Sequence, residues 1–194
     1  MTPRGSTNSK ERIVKAAGEL FYEQGYQSTT IDQVIERSGV SRPTVYSHFT
    51  TKEDLCVAYL DQRRQFDLAA LREEIRKKTS ARTRYMAIIQ FVKKVMQGSD
   101  YRGCGYFNLI SEFPDSRHPI FKRARVYVDA FRDVIQEVVE ELKASDKKYG
   151  KLNAKRTAES YYVLVCGAIM AGQEYHEPWP FDRAIEAVEG LIAV

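Results

Sequence analysis

Cysteine is scarce in this chain of 194 residues: three occur, at 56, 104 and 166. They are odd in number, widely spaced and without a Cys-x-x-Cys pair. Neither a disulfide scaffold nor a zinc site is expected, and a reducing cytoplasm is the natural home. Histidine is equally rare, at 48, 118 and 176, with no pair at metal-ligand spacing. Glu174-Tyr-His-Glu177, beside a Pro-Trp-Pro turn, is a weak cation candidate, so no metal and no cofactor are expected. No phosphate-binding glycine loop, nucleophile elbow or carboxylate pair stands out, and the chain is not read as an enzyme. The longest uncharged apolar run, residues 161–173, is shorter than the roughly 20 residues that span a bilayer. The first ten residues lack an apolar core, so no secretory leader is expected. Neither sign of charge dominates: 30 Lys and Arg oppose 26 Asp and Glu, for a net +4. That balance permits a polyanionic partner without requiring one.

Helical periodicity is what the chain has instead, with no alternating strand pattern. A first helix is expected from Asn8 or Ser9, with Ile13, Ala16, Ala17, Leu20 and Phe21 on one stripe and Gly25 as its stop. A second starts at Thr30, whose spacing to Gln33 is that of a capping box, and ends at Gly39. Thr50-Thr-Lys-Glu53 shows the same box pattern for a fourth. Further helices fall at about 81–97, 119–143, 154–175 and 181–193. The fold expected is all-α: a three-helix head over residues 1–52, a connecting fourth helix from about 52, and a larger helical body over 53–194.

The head has the arithmetic of a helix-turn-helix. With Ile31 as first position, Gly39 is ninth, where the chain turns and positive φ suits glycine. Val45 is fifteenth and faces back onto Val34 and Ile35, with Phe49 closing the small core. Ser41 stands where an N-cap is needed, and Pro43 sits in a first turn, where proline is tolerated. Arg42, Thr44, Ser47 and His48 are left outward, with Tyr46 at the flank. Recognition helices read bases mainly with their N-terminal residues, so Arg42 and Thr44 are the base-reading candidates. Tyr46, Lys52, Thr29, Thr30 and Ser41 suit phosphate. Arg4 and Lys10 are candidates for an added groove or backbone contact.

Residues 10–55, above all Thr29-Thr-Ile-Asp-Gln-Val-Ile-Glu-Arg-Ser-Gly-Val-Ser-Arg-Pro-Thr-Val-Tyr-Ser-His-Phe-Thr-Thr-Lys-Glu-Asp-Leu55, resemble the amino-terminal signature of the TetR family of transcriptional regulators. Paired threonines, a Gly-Val-Ser turn, Thr-x-Tyr, Phe and Lys-Glu-x-Leu are all present. Position 43 is commonly glycine in that family and is proline here; position 35 is commonly alanine and is isoleucine here. The resemblance implies an all-α homodimer on a palindromic double-stranded DNA operator, most often a repressor released by a small-molecule effector.

In the body, residues 161–172 are apolar around nearly the whole helix, which must therefore be covered on more than one side. Gly167, Ala168, Ala171 and Gly172 allow close approach. Such a helix is either a core helix within one subunit or, with the final helix (Phe181, Ile185, Val188, Leu191, Ile192), half of a two-fold dimer seam. Candidates to line an effector pocket are Phe91, Phe107, Asn108, Phe113, Tyr127, Phe131, Tyr162, Cys166 and Met170, each of which also has a plain packing role. Arg102-Gly-Cys-Gly-Tyr-Phe-Asn-Leu-Ile-Ser-Glu-Phe-Pro114 resembles a Gly-Cys segment followed by a short helix in a subset of TetR-type regulators, some of which sense electrophiles or oxidants through such a cysteine. Cys104, beside Arg102 and expected at a helix N-terminus, is the candidate thiol for such sensing, or else an inert packed one. A helical interaction module without DNA binding is the remaining alternative.

Overall fold

The computed structural model describes residues 8–193. Among these the chain forms nine α-helices and no strand: α1 (Ser9–Gln24), α2 (Ile31–Ser38), α3 (Arg42–His48), α4 (Lys52–Arg76), α5 (Ala81–Gly98), α6 (Gly105–Glu112), α7 (Pro119–Ser145), α8 (Ala154–Tyr175) and α9 (Trp179–Gly190). A short 3-10 turn lies at Lys147–Tyr149. They sort into two compact units, one of residues 8–64 with 105–126 and one of residues 65–104 with 127–193. The first unit thus takes in α6 and the start of α7 besides the helix-turn-helix.

Capping chemistry sets the helix ends in the first unit. The Asn8 side chain accepts from the Lys10 N–H at 3.1 Å, and α1 buries Ile13, Ala16, Ala17, Leu20 and Phe21 as its spacing requires. Thr30 and Gln33 close the expected reciprocal box at the start of α2. Gly39 ends α2 in the left-handed region at φ 61°, where a side chain would be strained. Arg12 Nη2 donates to the carbonyls of Ser38 and Gly39 at 2.6 and 3.2 Å, satisfying acceptors that the end of α2 leaves open. Val34, Val45 and Phe49 form the small core between the first three helices.

Two local expectations are corrected. The box opening α4 belongs to Thr51 and Asp54, not Thr50 and Glu53: Asp54 N–H donates to Thr51 Oγ1 at 3.0 Å, and Thr51 N–H to Asp54 Oδ2 at 3.1 Å. Ser41 sits at the N-cap of α3, but its hydroxyl pairs with that of Thr44 at 2.8 Å and with no backbone N–H.

In the second unit α5, α8 and α9 pack against one another. The Tyr161 hydroxyl donates to the Tyr85 carbonyl at 2.8 Å and accepts from the Ile89 N–H at 3.0 Å, entering the hydrogen-bond ladder of α5. The two tyrosine rings meet edge to face at 4.9 Å, and the Tyr85 hydroxyl donates to the Val188 carbonyl of α9 at 2.9 Å. Burial pushes both phenols above their ordinary ionisation range, so they hold these protons. Helix α9 begins at Trp179, two residues before the expected start, because Pro180 fits its first turn. No described helix is long and apolar enough to cross a membrane.

Candidate nucleic-acid interface

Helix α3 with its two capping residues buries Val45 and Phe49 and exposes Ser41, Arg42, Tyr46, Ser47 and His48, with Thr44 half-buried. Ser47 donates to the Thr44 carbonyl at 2.8 Å, and His48 Nε2 lies 2.9 Å from the Ser9 hydroxyl. Arg42 Nη2 donates to Asp32 Oδ1 on α2 at 2.5 Å. The fold thus brings most of the expected contact residues to one face. Arg4 lies outside the described residues, and Lys10 Nζ rests 5.9 Å from the centre of the Phe49 ring.

Three expected phosphate contacts have partners within the chain. Thr29 is 1 % exposed; its hydroxyl donates to the Gly25 carbonyl at 2.7 Å and lies 3.3 Å from Gln24 Nε2. Thr30 Oγ1 accepts from the Gln33 N–H at 3.2 Å. Lys52 Nζ donates to the carbonyls of Tyr26 and Thr29, each at 2.9 Å, and stands 4.1 Å from the Tyr26 ring centroid. Burial of that site lowers the lysine's pKa and raises the Tyr26 phenol to about 12. These groups hold the turn between α1 and α2 and so set where α2 starts. Lys52→Met keeps the apolar stem over Tyr26 but removes the donors. It is expected to destabilise the first unit by about 1–3 kcal/mol in chemical denaturation; an unchanged midpoint would show that water replaces the ammonium at no cost.

Sequence reasoning missed Glu112, at the end of α6. Its carboxylate accepts from the Tyr26 and Gln27 N–H groups at 3.0 and 2.9 Å, tying the same turn to α6. The partners are 85 and 86 residues away, and no local pattern signals such a contact. Phe113, expected in a pocket, is buried in this unit, edge-on to Tyr26 at 5.0 Å and stacked on His118 at 4.3 Å. His118 Nε2 stands 3.2 Å from Glu53.

The other pocket candidates also separate. Phe107 and Asn108 are half-buried on α6 in the first unit. In the second unit Tyr127 stacks on Phe131 at 6.2 Å, and Phe131 meets Tyr162 at 6.5 Å. Burial raises the Cys166 thiol, with a hydrogen bond to Tyr162 pulling the other way. Phe91 is half-buried on α5, and Cys104 is half-buried directly ahead of α6. Met170 lines no interior: it is 73 % exposed on α8. A groove of about 560 Å³ between α7 and α8 is lined mostly by charged residues, Asp129, Arg132, Asp133, Glu140, Lys155 and Glu159, with Gln136 and Ala158. It shares no residue with the expected set.

The family model described as bacterial regulatory proteins, tetR family, matches residues 13–59. A second, described as tetracyclin repressor-like, C-terminal domain, matches residues 81–188. Over 91 residues the chain is 31% identical to the HTH-type transcriptional activator FasR of Mycolicibacterium smegmatis, covering 45% of this chain and 42% of the relative. Over 80 residues it is 32% identical to the HTH-type transcriptional regulator QacR of Staphylococcus aureus, covering 41% and 43%. The chain therefore spans less than half the length of these curated relatives. Among solved structures, SCO4454, a TetR-family transcriptional regulator from Streptomyces coelicolor, superposes with a TM-score of 0.84 at 25% identity, over 95% of this chain and 94% of that one. E. coli NemR in its reduced form shares the fold, with a TM-score of 0.83 at 17% identity over 96% and 98%.

Proposed function

Because this chain belongs to the TetR family of helix-turn-helix, DNA-binding transcriptional regulators, we propose that it acts as a homodimeric repressor. It binds a palindromic operator and leaves it when the body takes up a small molecule. One observation carries the DNA half of this reading: α3 and its C-cap bury Val45 and Phe49, and the helix turns Arg42, Tyr46, Ser47 and His48 to solvent. That is the division of labour a recognition helix requires. Arg42 is the base reader, with Thr44 beside it, and Tyr46 and Ser41 are the phosphate contacts.

The dimer is supported by α8, where Val163 and Met170 are 66 % and 73 % exposed and a side chain at Gly167 would meet nothing within 4 Å. These positions share one helical stripe and leave an apolar face uncovered in the single chain. Tyr175 and Trp179 continue the exposed apolar surface into the start of α9. A two-fold pair through α8 and α9 would present two copies of α3 to a two-fold operator. For the effector, the Tyr127, Phe131 and Tyr162 cluster is the aromatic wall best placed in the second unit.

The test is selection of bound sites from a randomised duplex library, followed by titration of the enriched site against salt. A palindromic motif should emerge, with binding that weakens by about 0.9 log units per phosphate contact for each tenfold rise in salt. Arg42→Ala should lose one symmetric pair of base preferences, at about 1–3 kcal/mol per site. Transcription from a template carrying the enriched site should fall when the protein is added; a rise would assign activation, the mode in FasR's name. No enriched motif would remove the DNA-binding reading.

A further inference from the structure

The geometry points to Asp32 as a positioning residue that holds Arg42 for base reading, a role that rests on the DNA-binding function proposed above. Asp32 is on the first turn of α2 and Arg42 is the first residue of α3, so the pair joins the starts of the two helices. Arg42 Nη2 reaches Asp32 Oδ1 at 2.5 Å, while the two side chains remain 56 % and 69 % exposed.

Folding alone gives little reason for this contact. An ion pair this exposed contributes little to stability, and the carboxylate would serve the N-terminus of α2 equally well without a partner. On a face that meets phosphate, a carboxylate is moreover repulsive. What the pair does supply is order. Arginine carries one of the largest rotamer entropies of any side chain, and a guanidinium held before the encounter loses less freedom in it. Guanidinium has five N–H donors, and a guanine edge takes two. One bond to Asp32 leaves enough for a bidentate contact. Asp32 also cancels the charge of Arg42, which directs that arginine to hydrogen bonding with a base instead of general attraction to phosphate. Asp32 in this sense raises discrimination and lowers non-specific affinity together.

The experiment is the same randomised-library selection with the full chain, run on the wild type, Arg42→Ala, Asp32→Ala and Asp32→Asn, each also titrated on one random-sequence duplex. A bidentate arginine–guanine pair supplies a preference of roughly 5- to 150-fold. Asp32→Ala should lose most of it at the same symmetric position as Arg42→Ala and keep every other position. It should also bind the random duplex more tightly, with a steeper salt slope. Asp32→Asn removes the charge but keeps an oxygen that can accept from Arg42. It should gain the same non-specific affinity and retain much of the guanine preference, a split that charge removal alone does not produce. Full guanine preference in Asp32→Ala would overturn the proposal. So would loss of a cytosine preference at a position Arg42→Ala leaves intact, because Asp32 would then be reading a base itself. An Arg42→Ala profile identical to the wild type would overturn it through its premise. Absence of any wild-type motif would instead bring down the DNA-binding reading, and this inference with it.

Discussion

Truncating Phe181 to alanine is expected to lower the stability of the second unit by about 3–5 kcal/mol. The ring is 0 % exposed, and its contact with α8 is unusually close. A Cβ at Gly172 would lie 2.8 Å from Phe181 Cε2, so the ring rests directly against the α8 backbone where glycine leaves room. The same opening takes the edge of Tyr101, 3.4 Å from that position. A cavity left there is flanked by helix backbone, which cannot collapse inward as a flexible side chain would, so the upper part of the range applies. If the whole chain melts in one transition, the loss corresponds to a fall of roughly 6–20 °C in the thermal midpoint, read by circular dichroism. If the two units melt separately, the transition of the first should stay in place. A change below about 2 °C would mean that α9 is not packed on α8 in the way described.

How much of this was legible in advance depended on whether a signal was local. Asn8, Thr30 with Gln33, and Gly39 mark helix ends through bonds made within a few residues, and those ends fall where the sequence places them. Where two local patterns overlap, spacing alone misleads: Thr50 and Thr51 each have an acidic residue three positions on, and packing selects the second pair. Pro180 reads as a break, yet a proline is equally at home in a first turn, and α9 uses it so. Side chains that act across the chain leave no such trace. Glu112 serves a turn 85 residues earlier, and nothing near it in sequence distinguishes it from any surface glutamate. Lys52 reads as a surface cation because lysine usually is one, whereas here two carbonyls and an aromatic face draw it inward. The pocket candidates separate for a related reason. Aromatic residues are alike in composition, and only the fold decides that Phe113 packs in the first unit while Tyr127, Phe131 and Tyr162 gather in the second. In α8 the small residues divide between faces: Ala168 and Gly172 turn inward and Gly167 outward, a split that an apolar run cannot announce.

That outward face sets the second large effect. Met170→Glu is expected to convert the protein to a monomer at micromolar concentration and to weaken operator binding by about 100- to 10,000-fold. Two half-sites held in one molecule bind with that much more avidity than either alone. Met170 is 73 % exposed in the single chain, so the substitution should leave the fold within about 0.5 kcal/mol of its starting stability. Within a two-fold seam the same glutamate would be buried without a partner, and symmetry would supply a second copy of the charge on the facing chain. Val163, two stripe positions earlier at 66 % exposed, should respond in the same direction when replaced by glutamate. Sedimentation gives the assembly state, a thermal melt the integrity of the fold, and titration of the selected operator the function. Loss of binding with an intact melt and a monomeric mass would place the dimer seam on α8 and separate its role from that of the recognition helix. A persistent dimer with unchanged operator affinity would move the seam to another surface and leave the exposed stripe of α8 without a function.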